Sequence, residues 1–230
     1  MQPQTPMMAP VQTSTTALAQ NRVLRNTYLL LAASLVPTVF GAWLGIQLKF
    51  NLFANPWIGV LLFLGIAFGF MFAIQKTKDS GWGIVLLLGF TFFMGLMLSR
   101  MLGAVMGLAN GASLIAFAFG GTAVIFFAMA TIASTTKRDL SGMGKFLFVG
   151  VIMLLIAMVA NVFLQLPGLM IALSLIAIGI FSAFMLYDVN RIVTGGETNY
   201  ISATLALYLD IYNVFANLLA LLGITGSSSD

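Results

Sequence analysis

Residues 201–224 read ISATLALYLDIYNVFANLLALLGI, an apolar run long enough to cross a lipid bilayer, which takes a helix of about 20 residues. Within this run, small and polar residues recur at steps of three and four, so that they share one face of a helix. They are Ala203, Ala206, Asp210, Asn213, Asn217 and Ala220. Because lipid offers such a face no hydrogen-bonding partner, protein must cover it. The run therefore predicts a membrane-spanning helix that other helices surround.

The composition of the whole chain also suits a lipid bilayer. Of its 230 residues, 60% are hydrophobic and 7% are charged, and neither His nor Cys occurs. An average globular domain is about a quarter charged. The composition excludes a soluble enzyme, a disordered chain, a disulfide scaffold, and zinc or haem sites built on Cys or His. The basic residues form no stripe, so we expect a lipid bilayer as partner and no nucleic acid.

Seven stretches are long and apolar enough to span a membrane. They are Tyr28–Gln47, Pro56–Ile74, Trp82–Ser99, Ala112–Ser134, Phe146–Leu166, Leu169–Tyr187 and Ile201–Ile224. Only Pro167-Gly168, a pair that interrupts helices, separates the fifth stretch from the sixth. We predict an all-α membrane protein with seven transmembrane helices, six of them surrounding a central seventh.

This prediction divides the chain into three parts. Residues 1–27 are rich in Gln, Thr and Pro and contain no apolar run, so we expect a disordered cytoplasmic tail there. Residues 28–224 form the seven-helix transmembrane domain, and residues 225–230 form a short C-terminal tail.

The basic residues predict how the chain is oriented, because cytoplasmic connections of membrane proteins carry an excess of Lys and Arg. With a cytoplasmic N-terminus, the inner segments carry eight cations and the outer segments carry only Lys49 and Arg100. The inner cations are Arg22, Arg25, Lys76, Lys78, Lys137, Arg138, Lys145 and Arg191. Seven crossings then place the C-terminus in the periplasm.

Two aspartates occupy positions at which an acid is costly. Asp188 comes directly after the sixth stretch, at the end of its helix, and Asp210 lies about halfway along the seventh. A charge in the middle of the bilayer costs roughly 2.5–3.5 kcal/mol. If the two carboxyls meet at about 4 Å, their repulsion is around 4 kcal/mol at an effective dielectric constant near 20. One carboxyl then keeps its proton, and the pair forms a pH-sensitive latch between two helices. Deprotonation would push the helices apart and leave carboxylates suited to a hard cation such as calcium. The alternative is that Asp188 pairs with Arg191.

Amides and glycines predict contacts between helices. Asn213 and Asn217 on the seventh stretch, with Asn161 and Gln165 on the fifth, are expected to form hydrogen bonds across helices. Three pairs of glycines spaced four apart are expected to let helices approach closely. They are Gly41/Gly45, Gly65/Gly69 and Gly103/Gly107.

Several motifs resemble those of the Bax inhibitor-1 (TMBIM) family. They are YD at 187–188, GGETNYI at 195–201, LYLD at 207–210, YNVF at 212–215, VLRNTY at 23–28 and MVANVFLQLP at 158–167. The last two resemble the proteobacterial branch of modulators of the FtsH protease. The resemblance covers about residues 21–223, and it implies seven helices with the seventh at the centre.

The resemblance implies roles for particular residues. In the calcium-leak branch, the aspartates that match Asp188 and Asp210 form a pH-sensing pair and ion gate, which would be the transient calcium ligands here. That branch carries an arginine latch at the end of its second helix, where this chain has Gln75 followed by Lys76 and Lys78. A lysine offers a point charge without the arginine's planar fork. We expect Asn213, Asn217, Arg191, Glu197 and Lys76 to support the site.

Three functions follow as alternatives. The first is a non-enzymatic regulator in the bacterial inner membrane that binds the FtsH protease complex, for which the N-terminal tail offers a grip. The second is a pH-gated leak for calcium or other cations, with no resident cofactor. The third is an intramembrane aspartyl protease, disfavoured because such enzymes carry Gly-x-Gly-Asp, whereas this chain has bulky residues before Asp210.

Overall fold

A computed structural model describes residues 12–50, 56–136 and 138–227, and in this part of the chain every regular element is a helix. The helices are α1 Gln12–Gln47, α2 Pro56–Thr77, α3 Gly81–Met106, α4 Gly111–Thr135, α5 Met143–Leu164, α6 Pro167–Val193 and α7 Tyr200–Ser227. All seven are long and apolar enough to cross a membrane. The predicted number and type of elements are confirmed.

The first helix begins earlier than predicted, which corrects the extent of the N-terminal tail. Residues 12–27 were expected to be disordered but belong to α1. The physical reason is packing, because Val23 and Leu24 contact the main hydrophobic core and hold this extension of the helix against the bundle. At the other terminus α7 continues to Ser227, so residues 225–227 are helical rather than part of a tail. Residues 1–11 and 228–230 lie outside the described residues.

The predicted break between the fifth and sixth stretches is confirmed. Gln165 ends α5 in the left-handed conformation, with φ 51°. Pro167 begins α6, a position that suits proline because its missing N–H has no partner to lose in the first turn. The Asn161 side-chain oxygen accepts a hydrogen bond of 3.1 Å from the Leu166 N–H. This bond fixes the tight connection between the two antiparallel helices.

Helix α7 occupies the centre of the bundle, where it contacts α1, α2, α3, α4 and α6. Helix α5 is peripheral and packs against α6 alone. The residues of α7 that face its neighbours are almost fully buried, with Leu207, Val214 and Leu219 at 0% exposure and Tyr208 at 1%. The central placement predicted from residues 201–224 therefore holds, with α5 as an outer helix.

Helices α1 and α3 pack closely through glycines. A Cβ atom on Gly41 would collide with the Phe92 carbonyl oxygen, and one on Gly45 would collide with the Ser99 side chain. From the opposite helix, a Cβ atom on Gly95 would collide with the carbonyl oxygen of Thr38. The first predicted glycine pair therefore permits a close helix contact.

The other two predicted glycine pairs, Gly65/Gly69 and Gly103/Gly107, do not lie at a close contact between helices. A Cβ atom on Gly65 or Gly69 would meet nothing within 4 Å, and one on Gly103 would approach only Ile46, at 4.0 Å. A Cβ atom on Gly107 would meet only carbonyl oxygens of its own helix end. The prediction of close helix approach was wrong for these pairs, because their faces do not lie against a neighbouring backbone.

The charged residues in and near the connections lie at two opposite ends of the bundle. The Asn199 side chain donates to the Lys78 carbonyl at 3.0 Å, and the Asn190 side chain donates to the Arg138 carbonyl at 3.3 Å. These bonds bring the α2–α3, α4–α5 and α6–α7 connections together at one end of the bundle, which we call the basic end. Lys49 and Arg100 lie at the opposite end, after α1 and within the last turns of α3.

Candidate functional site

Asp210 lies in the buried centre of the bundle. Its side chain on α7 is 5% exposed, and its Oδ2 atom has no hydrogen-bond partner in the part of the chain that the structure describes. Burying a polar group without a partner costs free energy that folding must offset elsewhere. An unsatisfied carboxyl oxygen in an apolar helix bundle is therefore the polar feature of this protein that most needs an explanation.

Asp188 lies beside Asp210, on the antiparallel helix α6. It is half-buried, and its carboxyl group lies close enough to that of Asp210 for its charge to act on the latter. Two carboxyl groups form a hydrogen bond only when one of them carries a proton, because an ionised carboxylate is an acceptor alone. The structure thus brings the two predicted site residues together in an arrangement able to share one proton.

The connection between α6 and α7 lets the helices that carry Asp188 and Asp210 pack side by side. Gly195 has φ +82°, a left-handed conformation that favours glycine, and its N–H donates to the Ile192 carbonyl at 3.2 Å. The Glu197 N–H then donates to the Arg191 carbonyl at 3.1 Å. This compact turn reverses the chain so that α6 and α7 pack side by side.

Arg191 and Glu197 stabilise this turn rather than pairing with Asp188. The Arg191 guanidinium lies 3.7 Å from the Glu197 carboxylate, and it also donates to the Gly196 carbonyl at 3.4 Å. This is the one ion pair among the described side chains. The charge of Arg191 still acts on Asp188, but the alternative of a direct Asp188–Arg191 ion pair is wrong.

Asn199 fixes the beginning of α7. Its side-chain oxygen accepts hydrogen bonds from the Ile201 and Ser202 N–H groups, at 2.9 and 3.0 Å, and so caps the helix. Its side-chain nitrogen donates to Asp79 at 2.8 Å and to the Lys78 carbonyl. The first turn of α7 is therefore attached to the connection between α2 and α3.

The end of α2 differs from the predicted arrangement. The Lys76 ammonium lies over the Phe72 ring, 5.4 Å from its centroid, and the side chain is exposed. Lys76 is not among the groups whose charge acts on Asp188 or Asp210, so the structure shows no contact through which it would support the aspartate pair. Gln75 instead accepts a hydrogen bond of 3.1 Å from the Ser202 hydroxyl on α7. A neutral contact joins the two helices where the family resemblance places an arginine.

The amides of α7 bond within their own helix, which corrects a second prediction. The Asn213 side chain donates to the Leu209 carbonyl, and that of Asn217 donates to the Asn213 carbonyl, both at 2.8 Å. The carbonyl four residues earlier is always within reach on a helix, so it competes with acceptors on neighbouring helices.

The amides of α5 and α7 nevertheless face a common space. Asn161, Gln165 and Asn217 line a cavity of about 520 Å³, to which α6 contributes Ser174. This cavity, which we call the amide cavity, lies between α5 and the second half of α7. It separates the two sets of amides that were predicted to bond with each other.

Two tyrosines beside the acids were not singled out from the sequence. The hydroxyl group of Tyr208 shares a hydrogen bond of 2.9 Å with the Thr38 hydroxyl and donates to the Thr91 carbonyl at 3.4 Å. The hydroxyl of Tyr212 donates to the Met94 carbonyl at 3.3 Å. These bonds join α7 to α1 and α3. The signal was present, since tyrosines on a helix predicted to be central must find partners for their hydroxyls.

The described part of the chain offers few side chains of the kind that ligate a metal ion. Calcium takes six to eight oxygen ligands in stable sites, whereas no group of three or more acidic side chains occurs among the described residues. Asp188 and Asp210 supply carboxylate oxygens only when they ionise.

Comparison with known proteins gives a consistent result. Residues 20–227 match the family model described as "Inhibitor of apoptosis-promoting Bax1". The chain is 40% identical over 209 residues to the Escherichia coli (strain K12) protein named "Modulator of FtsH protease YccA", covering 91% of this chain and 93% of that protein. It is 38% identical to an uncharacterized Pseudomonas aeruginosa protein, covering 91% and 94%. It is 35% identical to an uncharacterized membrane protein of Vibrio cholerae, covering 97% and 99%.

Proposed function

The chain belongs to the Bax inhibitor-1 family of membrane proteins, and we propose that it is a non-enzymatic regulator of the bacterial inner membrane that binds and modulates an FtsH-type protease. The observation that carries this proposal is the 40% identity to a relative named as a modulator of FtsH, over 91% of this chain. The family match covers residues 20–227, so it includes part or all of each of the seven helices.

The packing around Asp210 supports a role without catalysis. An intramembrane aspartyl protease needs room beside its acids for an extended substrate strand. Here Leu207 and Tyr208, just before Asp210, are 0% and 1% exposed and are packed into the core. A substrate strand would have to displace both side chains.

The test of this proposal measures protease action and association together. In cells that overproduce the chain, we expect FtsH to co-purify with it and a membrane-protein substrate of FtsH to be degraded more slowly. A soluble FtsH substrate, measured in the same pulse-chase, is the control and should keep its half-life. Absence of association together with unchanged turnover of the membrane substrate would refute the proposal.

A second candidate function is a pH-sensitive leak for calcium or other cations. The observation that favours it is the interaction of Asp188 with Asp210, whose Oδ2 atom lacks a partner in the described bundle. A shared proton would hold α6 and α7 together. Its loss would place two negative charges side by side, with a repulsion of around 4 kcal/mol at about 4 Å and an effective dielectric constant near 20.

The two functions are compatible, and one experiment separates them. Calcium flux into proteoliposomes measures the leak in the absence of any protease. Flux that is equal in the wild type and in Asp210→Asn would exclude the aspartate pair as a gate and leave the regulatory role unaffected. The absence of an effect on FtsH would leave the leak unaffected in turn.

A further inference from the structure

A pocket at the end of the bundle opposite the basic end is lined by two basic residues. It has a volume of about 310 Å³ and is lined by Gly45, Ile46, Lys49, Phe50, Ser99, Arg100 and Gly103. Lys49 and Arg100 are the two cations assigned to this end of the bundle, and both contribute to the same pocket. One basic residue just after α1 and one on α3 thus line the same space.

No described acid balances these two charges. The acidic residues of the described chain are Asp79, Asp139, Asp188, Glu197 and Asp210, which lie at the basic end or inside the bundle. The one ion pair among the described side chains is between Arg191 and Glu197, also at the basic end. Two like charges that line one pocket without a counter-charge favour an anion there.

The backbone holds Lys49 in a specific position. The Phe50 N–H donates to the Gly45 carbonyl at 2.8 Å, which closes the end of α1. Lys49 adopts φ 49°, the left-handed conformation that usually selects glycine at this position. A lysine here adopts an unfavourable backbone conformation at a position that lines the pocket beside Arg100.

The floor of the pocket is rigid because α1 and α3 are in close contact beneath it. Gly45 lies directly against the Ser99 side chain, and the Ser99 hydroxyl donates to the Leu96 carbonyl at 2.6 Å. Ile46 and Phe50 add apolar walls beside the cations. A charged centre with an apolar flank, at the end of a membrane-spanning bundle, matches the junction between a lipid headgroup and its acyl chains.

We propose that the pocket formed by Lys49, Arg100, Ile46 and Phe50 binds the phosphate group of a membrane phospholipid, with the lipid's glycerol and acyl chains against the apolar walls. The Arg100 guanidinium offers paired donors that match two phosphate oxygens, and the Lys49 ammonium adds a point charge. The phosphate neutralises the repulsion between the two cations and links the ends of α1 and α3.

The test uses the full chain in detergent and native mass spectrometry. The probes are dioleoyl-phosphatidylglycerol, dioleoylglycerol, which has the same chains without phosphate, and inorganic phosphate. We expect phosphatidylglycerol to bind at least about tenfold more tightly than dioleoylglycerol, and the double variant Lys49→Gln/Arg100→Gln to lose this preference. The matched control Arg22→Gln/Arg25→Gln removes two exposed cations from the other end of α1 and should bind as the wild type does.

A charge-conserving variant keeps the test valid if the double variant folds poorly. Lys49→Arg/Arg100→Lys retains both charges and should retain the preference for phosphatidylglycerol. Equal binding of phosphatidylglycerol and dioleoylglycerol, or equal binding by the wild type and Lys49→Gln/Arg100→Gln, would overturn the proposal. Inorganic phosphate that binds as tightly as the lipid would overturn the lipid as the source and assign the pocket to free phosphate.

Discussion

The Ser202 hydroxyl on α7 donates a hydrogen bond to the Gln75 side chain on α2, with 3.1 Å between the two oxygens. Helix α2 packs mainly against α3 and touches α7 only slightly, so this bond is a large part of the contact between α2 and the central helix. It joins two neutral groups at the end of the bundle where the resemblance to the family places an arginine.

Loss of this bond tests whether α2 restrains a cation path. If the chain conducts, Ser202→Ala removes about 1 kcal/mol of restraint and should raise calcium flux in proteoliposomes up to about fivefold. The control is Ser80→Ala, because the Ser80 hydroxyl bonds only locally, to the Thr77 carbonyl at 2.9 Å. Flux that rises equally in both variants would show that the Ser202–Gln75 contact has no such role.

The hydroxyl pair of Tyr208 and Thr38 should stabilise the fold. Tyr208→Phe removes the bond to Thr38 and the bond to the Thr91 carbonyl, and we expect a loss of about 1–2 kcal/mol in the free energy of unfolding in detergent. Thr38→Val removes the same shared bond from the other side. A double variant that loses much less than the sum of the single losses would confirm the coupling, and strict additivity would contradict it.

Replacing a glycine by alanine should destabilise the fold where the glycine is tightly packed and should have little effect where it is not. Gly95→Ala forces a methyl group against the Thr38 carbonyl oxygen, and overpacking of this kind costs typically about 1–3 kcal/mol. Gly69→Ala is the matched control, since nothing lies within 4 Å of the added atom. Thermal unfolding in detergent should show a lower midpoint for Gly95→Ala alone. A similar shift in both would contradict the close α1–α3 contact.

The helices and the α5–α6 break could be predicted from the sequence because length, hydropathy and proline act locally. The placement of Lys76 could not be predicted, because it depends on how α2 is rotated in the bundle. The bonds of Asn213 and Asn217 also escaped prediction, since a helical amide chooses between its own backbone and a partner whose distance only the fold determines. The early start of α1 likewise depends on the packing of Val23 and Leu24.

The placement of the charges was predictable, and it yields a prediction about orientation. The α3–α4 and α4–α5 connections lie on opposite sides of α4, and positive charge predicts that the second is cytoplasmic. Alkaline phosphatase fused after Gly107 should therefore be active, and the same enzyme fused after Gly142 should be inactive. The reverse pattern would invert the topology and place the N-terminus in the periplasm.

The aspartate pair makes the sharpest prediction about a leak. A shared proton should keep Asp188 and Asp210 together, and its loss as the pH rises should separate α6 from α7, so calcium flux measured from about pH 6 to 8 should rise with pH. Asp210→Asn cannot ionise and can still donate a hydrogen bond to Asp188, which should leave flux low and independent of pH. The control Asp139→Asn changes an exposed acid bonded to Ser141 and should keep the wild-type profile. If Asp210→Asn also keeps that profile, the gate lies elsewhere; if all three proteins conduct nothing, the pair is a structural contact that locks the central helix to α6.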